Sequence, residues 1–217
     1  MDAMTASDLI RLFEAWKQLF EEQREFLIAL DGKVGDSDLG ITMAKSFAAA
    51  AEAVAAEGEA AGISKLLRTA GAVMARTAPS TMGTLTATGF LRASKAVDTA
   101  TSLGAAEMAA FWAAYRDGIA ERGKAKVGDK TIIDVLDPAV RALEQQAFNN
   151  ATLSAALSAA ADTAEQALEN TKTMVAQHGK AAAFQEKTVG LQDAGATVGA
   201  LILRKLSDFA SAETLED

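Results

Sequence analysis

The sequence predicts an all-α protein. Alanine fills 50 of 217 positions, proline only two, and apolar residues recur at steps of three and four along most of the chain. Alanine is the best helix former and packs poorly on a pleated surface, so this composition disfavours sheet. Half the residues are apolar and 23% are charged, the balance of a globule able to bury a core. At about 100–200 residues per domain, the length suits a single domain over 1–217.

In chain order, Leu9, Phe13, Trp16, Phe20, Leu27 and Leu30 share one face of a long first helix, over about 6–30. Glycine and polar clusters then delimit helices at about 39–57, 61–77, 83–98 and 104–122. Ile132, Ile133, Leu136, Val140, Leu143 and Ala147 form the stripe of a sixth helix, over 129–147. A seventh, over 151–177, carries Leu153, Leu157, Ala164, Leu168 and Met174 on one face. Val198, Leu201, Ile202, Leu206 and Phe209 mark the last, over 193–211. Short connections favour antiparallel neighbours in an up-and-down arrangement. The exception is 178–192, long enough to predict a lid.

Composition also excludes functions. A net charge of -8 and a pI near 4.8 leave no basic face for nucleic acid. With no cysteine there is no disulfide, Fe–S cluster, thiolate zinc site or thiol nucleophile. The only histidine, His178, rules out a multi-histidine metal site, and its plain reading is an exposed imidazole closing the seventh helix. The acidic start, Met1-Asp2-Ala3-Met4, is not a signal peptide, and no uninterrupted apolar run approaches a membrane span. The expected location is the cytoplasm.

The sharpest feature is Asp31-Gly-Lys-Val-Gly-Asp36-Ser-Asp38-Leu-Gly40, between the first two helices. In an extended loop Asp36 and Asp38 point the same way, and Asp31 sits at a helix C-terminus, where the dipole disfavours a carboxylate. Three anions this close call for a hard cation with oxygen ligands, magnesium being the common case beside phosphates. The plain alternative is capping, with Asp38 as N-cap of the second helix and Asp36 as a turn residue, both solvated. An EF-hand does not fit, because counting from Asp36 places Ile41 at position six and Phe47 at position twelve.

Three further patches are weak singly. Thr77-Ala-Pro-Ser80-Thr81-Met82-Gly83-Thr84 opens a helix with hydroxyls and free N–H groups suited to phosphate. Gly123-Lys124-Ala-Lys126-Val-Gly128-Asp129-Lys130-Thr131 is a basic turn whose plain reading is an Asp129 N-cap with solvated lysines. Gly190-Leu-Gln-Asp193-Ala-Gly195-Ala-Thr197 caps the final helix. Neither a Walker A nor a Rossmann fingerprint occurs.

Taken in order, Asp31-x4-Asp36-x-Asp38-x-Gly40, Gly128-Asp129-Lys130-Thr131-x2-Asp134 and Gln192-Asp193-x-Gly195-Ala196-Thr197 resemble the nucleotide-binding L domain of dihydroxyacetone kinases, over essentially the whole chain. The resemblance implies a closed barrel of eight antiparallel helices with ADP or ATP at one rim. It implies that Asp31, Asp36 and Asp38 hold two magnesium ions against the diphosphate. Leu39, Gly40, Ile41 and Thr42 would flank the nucleotide, Ser80 and Thr81 would receive phosphate oxygens, and Gly123 and Thr131 would line the adenine side. Lys180 and Asp193 would lie at the lid, with Lys180 and Lys187 as the catalytic cations. In that family a histidine of a separate K-type subunit binds the sugar covalently, so an isolated L chain is half an enzyme. A phosphotransferase-type protein is a further implied partner, as phosphoryl donor.

The chain departs from the family's common form. Leu39 stands for a histidine, Lys180 and Lys187 for arginines, Pro79-Ser80-Thr81-Met82 for Gly-Gly-Ala-Ser, and Leu191-Gln192-Asp193-Ala194 for His-Gln-Asp-Pro. Arginine-to-lysine changes exchange a bidentate fork for a point charge. The alternative readings are a kinase component for another short ketose or a tetrulose, and a nucleotide-sensing module without chemistry.

Overall fold

Each apolar stripe lies largely in helix in the computed structural model, which describes residues 1–213. Residues 214–217, within the domain expected over 1–217, lie outside the described residues. The helices are α1 (Ala6–Glu22), α2 (Arg24–Asp31), α3 (Leu39–Glu57), α4 (Ile63–Thr77), α5 (Thr81–Ala96), α6 (Ala105–Gly123), α7 (Ile133–Phe148), α8 (Leu153–Asn170) and α9 (Ala194–Glu213). Short 3₁₀ segments span Glu59–Ala61, Thr171–Thr173 and Lys180–Thr188, and no strand occurs among the described residues.

The predicted first helix is two. Thr5 and Asp8 form a capping box that starts α1, and the chain then bends at Gln23 (φ -86°, ψ 0°) before α2. No glycine or proline stands there. α3 packs closely beside it: a Cβ on Gly40 would lie 2.1 Å from the Arg24 carbonyl oxygen. Gly40 therefore serves helix packing.

Two other boundaries move. The sixth predicted helix begins at Ile133 and not 129, because residues 128–131 fold into a turn tied to Asp134. The seventh ends at Asn170 and not 177. There the Thr171 hydroxyl donates to the Leu168 carbonyl (2.7 Å) and accepts the Asp193 N–H (3.2 Å), turning the chain away. His178 consequently lies beyond any helix end.

Successive helices pack side by side, and α9 returns to α1, closing an up-and-down barrel of eight antiparallel staves with α1 and α2 together as the first. A buried hydrogen bond from Trp16 Nε1 to the Ile202 carbonyl (3.1 Å) fastens the seam. Aromatic side chains fill the interior: Phe20 stacks on Phe47 at 4.5 Å, Phe13 meets Trp16 edge-on at 5.3 Å, and Phe90 touches Tyr115 at 5.2 Å. The barrel is thus a packed core, and its functional space lies at a rim. By length and composition α3 alone among the described helices could cross a membrane, and 56% of that window is buried inside the fold.

Candidate functional site: the rim cavity

The helix-connecting segments at one rim surround an open cavity of about 850 Å³, within the range of small-molecule sites. Four walls line it: the aspartate turn after α2, the start of α5, the segment from the end of α6 to α7, and the strap joining α8 to α9.

The first wall is electronegative. Asp31 is the last residue of α2, and carboxylate oxygens of Asp31, Asp36 and Asp38 lie within 4.8 Å of one another. They do not converge through an extended loop, as the sequence suggested. Ser37 adopts a left-handed conformation (φ +62°) and Asp38 a right-handed one, curling the chain so that the Asp38 N–H donates to Asp31 Oδ2 at 3.1 Å. Gly35 is required because a Cβ there would sit 2.1 Å from Asp31 Oδ1. Asp38 makes no side-chain cap to α3, so the plain capping reading fails for it. Burial, then the neighbouring Asp36 and Asp31 charges, raise the Asp38 carboxyl above its ordinary value, with Lys180 opposing. Such an all-oxygen, mutually repelling set fits a hard divalent cation.

On the second wall, Ser80 caps α5 by accepting the Gly83 N–H at 3.1 Å, and Thr81 follows at the first helical position. Pro79, Met82 and Leu85 add apolar surface. Helix N-terminal amides favour anions here.

The third wall is a turn held rigidly by carboxylates. Asp134 accepts the N–H groups of Gly128 (2.6 Å) and Thr131 (2.7 Å). Asp129, predicted as a helix N-cap, instead accepts the Lys126 N–H at 2.9 Å and pairs with His178 Nε2 at 2.9 Å. Burial would raise the Asp129 carboxyl, but the Lys126 and His178 hydrogen bonds outweigh it and the net direction is down. Lys130, in a left-handed conformation (φ +60°), is 4% exposed. Burial lowers its affinity for a proton and the charge of Asp193 opposes this.

The fourth wall is the predicted lid, partly ordered as 3₁₀ turns. His178, Gly179 and Lys180 reach the cavity, and Lys180 Nζ donates to Asp36 Oδ2, which raises the lysine's proton affinity. At the strap's root, Asp193 caps α9 by accepting the Ala196 N–H at 2.7 Å. Burial pushes its carboxyl up to about 6, against the Ala196 hydrogen bond and the Lys130 charge.

Of the residues singled out in the sequence, Asp31, Asp36, Asp38, Leu39, Ser80, Thr81, Gly123, Thr131, Lys180 and Asp193 all line this cavity. Gly40, Ile41, Thr42 and Lys187 do not: Gly40 and Thr42 are buried in α3, Ile41 faces outward, and Lys187 is exposed on the strap beside Thr188. Arg122 and Met82 line it without having been assigned a role. The only sequence signal for Arg122 was its place beside Gly123 at a helix end.

Comparison with known proteins gives the family and the fold. The family model for the DAK2 domain matches residues 33–208. The PEP-dependent dihydroxyacetone kinase, ADP-binding subunit DhaL, of Escherichia coli is 31% identical over 94% of this chain and 97% of its own length. The corresponding subunit of PEP-dependent dihydroxyacetone kinase 1 from Listeria innocua is 33% identical over 91% and 93%. A D-erythrulose kinase of Mycolicibacterium smegmatis is 34% identical over 94% of this chain, which spans 35% of that protein. The dihydroxyacetone kinase of C. freundii, solved in complex with AMP-PNP and Mg2+, has the same fold (TM-score 0.71, 24% identity), covering 92% of this chain and 33% of that one. The chain belongs to the DAK2-domain family, the family of the dihydroxyacetone kinase L subunits.

Proposed function

We propose that the chain is the nucleotide-binding component of a dihydroxyacetone kinase, holding ADP or ATP with magnesium in the rim cavity. In this reading a phosphoryl group passes to a triose held on a separate K-type subunit, and the whole of 1–217 is one nucleotide-binding domain. The observation that carries the reading is the convergence of three carboxylates at a cavity that also presents a helix N-terminus, in a chain whose relatives of equal length are ADP-binding kinase subunits.

Asp31, Asp36 and Asp38 would hold the magnesium, as two ions, and the metal would neutralise charge on the phosphate oxygens. The chain's own contribution is positioning and charge, as in phosphoryl transfer generally. The start of α5, with Ser80 and Thr81, orients phosphate oxygens. Leu39, Gly123, Thr131 and Asp193 shape the remaining walls. Lys180, carried on the strap, supplies a mobile positive charge facing the aspartates.

The histidine and the two lysines that line the cavity each already have a partner, Lys180 in Asp36. His178 is engaged by Asp129, and all three ammonium protons of Lys130 have acceptors. The sugar chemistry is therefore assigned to the partner, which also decides the acceptor. The likeness to a D-erythrulose kinase supports a tetrulose as the second candidate. The relatives' PEP dependence supports a phosphotransferase-type protein that recharges bound ADP, and the supply of PEP this requires supports a cytoplasmic site of action.

Calorimetry of ADP binding with and without magnesium, followed by reconstitution with a K-type subunit, tests the reading. Magnesium-dependent binding is expected, with turnover of dihydroxyacetone or erythrulose only when the K-type subunit and a phosphoryl donor (ATP, or PEP with the phosphotransferase-type protein) are both present. Equal affinity in EDTA, or robust turnover by the chain alone, would overturn it.

A further inference from the structure

Lys130 lines the cavity within a glycine-containing turn, where a phosphate ligand would be the ordinary expectation. Its surroundings argue otherwise. Lys130 Nζ donates to the carbonyls of Met174 (3.1 Å), Thr188 (2.5 Å) and Leu191 (2.8 Å). An ammonium has three protons, and three carbonyls use all of them. A lysine turned towards a phosphate would leave the partly buried Met174 and Leu191 carbonyls without a donor, and the Thr188 carbonyl with only the Leu191 N–H at 3.2 Å.

The acceptors belong to both limbs of one loop, with Met174 before the tip and Thr188 and Leu191 after it. The ammonium thus sits at the neck of an Ω-shaped strap. Two backbone ties lie alongside, from Gly190 N–H to the Lys172 carbonyl (2.7 Å) and from Ala176 N–H to Thr188 Oγ1 (3.0 Å). The adjacent Asp129 holds the leading limb through the Gln177 N–H (3.0 Å) and His178. Apolar packing contributes little, because between Met174 and Leu191 only Ala176 and Thr188 are buried. The polar neck keeps the strap in place, and the strap's tip delivers Lys180 to Asp36.

We propose that Lys130 is a positioning residue: its ammonium closes the neck of the 174–191 strap, sets Lys180 over the aspartate turn, and makes no contact with a bound phosphate. The clamp itself stands on the ligand-free geometry. Its consequence for nucleotide affinity rests on the nucleotide-binding function proposed above.

Hydrogen exchange of the full ligand-free chain tests the clamp. In Lys130→Met the amides of Ala176 and Gly190 are expected to exchange at least tenfold faster than in the wild type, while amides within α5 are unchanged. Mg–ADP affinity should fall about tenfold, and Lys130→Arg, which keeps the charge but not the three-pronged geometry, should restore strap protection only in part. Strap exchange identical to wild type in Lys130→Met would overturn the proposal. Should that variant not fold, the wild type decides through its ¹⁵N-labelled lysine ammonium signal. Hydrogen-bond couplings from Lys130 to three carbonyls, unchanged by Mg–ADP, are expected. A coupling to ³¹P would identify a phosphate ligand and sink the clamp. Failure of the wild type to bind Mg–ADP would count against the nucleotide function and leave the ligand-free exchange result standing.

Discussion

The aspartate turn and the strap meet through Lys180 and Asp36 but are built in opposite ways. The turn is local: its internal hydrogen bond joins residues seven apart, and Gly35 and Ser37 bend the chain within the same few residues. The strap depends on distant partners, with Lys130 bonding carbonyls 44, 58 and 61 residues away. Local construction makes the carboxylate cluster a standing feature of the α2–α3 junction. Long-range polar construction with little apolar burial places the strap among the segments that open most easily. The difference separates a locally built carboxylate cluster from a cover held by distant partners that brings the Lys180 charge to it.

Removing the fixed half gives the largest expected effect. Asp36→Asn or Asp38→Asn should each weaken Mg–ADP binding more than tenfold, and the double variant more than a hundredfold, as measured by calorimetry. An unaffected double variant would mean that the cluster is not the metal site.

Asp193 probes the strap's root through pH. Its carboxyl titrates near 6 in the folded state, against an ordinary value of 3.8, because of burial. The folded protein therefore holds this proton more tightly than the unfolded chain does. The stability it contributes is fully present below about pH 4, declines as pH rises to about 6, and is absent above. Asp193→Asn keeps a cap for α9 without the charge, so it should be more stable than wild type at pH 8 by on the order of 1–3 kcal/mol. The two proteins should be indistinguishable near pH 4. Denaturant melts at both pH values check this, and an advantage that persisted at low pH would contradict the assigned cause.

Smaller effects lie where the two regions touch. Lys180→Met removes a cation that competes for Asp36, so magnesium affinity without nucleotide should rise about threefold, in keeping with an exposed ion pair. Paramagnetic titration with manganese would measure it, and weaker metal binding would show that Lys180 supports the cluster instead. Smallest of all, His178→Ala loses one hydrogen bond of the strap's leading limb and should lower Mg–ADP affinity about two- to fivefold. A larger loss would mean that His178 contacts the nucleotide directly.

Legibility in the sequence followed the range of the forces. Helix identity was readable because apolar spacing and alanine content act over single turns, and the closing pair of α1 and α9 both carried clear stripes. Asp31, Asp36 and Asp38 could be grouped because they lie within one short turn, although the left-handed Ser37 that makes them converge left no signal in residue type. The bend at Gln23 was invisible, since no glycine or proline marks it in the sequence. His178 was misplaced because the stripe of α8 continues past Asn170, where Thr171 and Asp193 redirect the chain.

By itself, then, the sequence determined that this chain is helical, roughly where its staves lie, and that three aspartates crowd the connection after the first. Those properties depend on backbone propensity and on charges close together along the chain. Tertiary structure alone decided that the barrel closes on itself, that the first helix breaks, and that the strap lies across the cavity with Lys180 inside it and Lys187 outside. The physical reason is that the strap's anchors are backbone carbonyls. Every residue has one, so nothing in the sequence marks Met174, Thr188 and Leu191 as partners until folding brings the Lys130 ammonium between them.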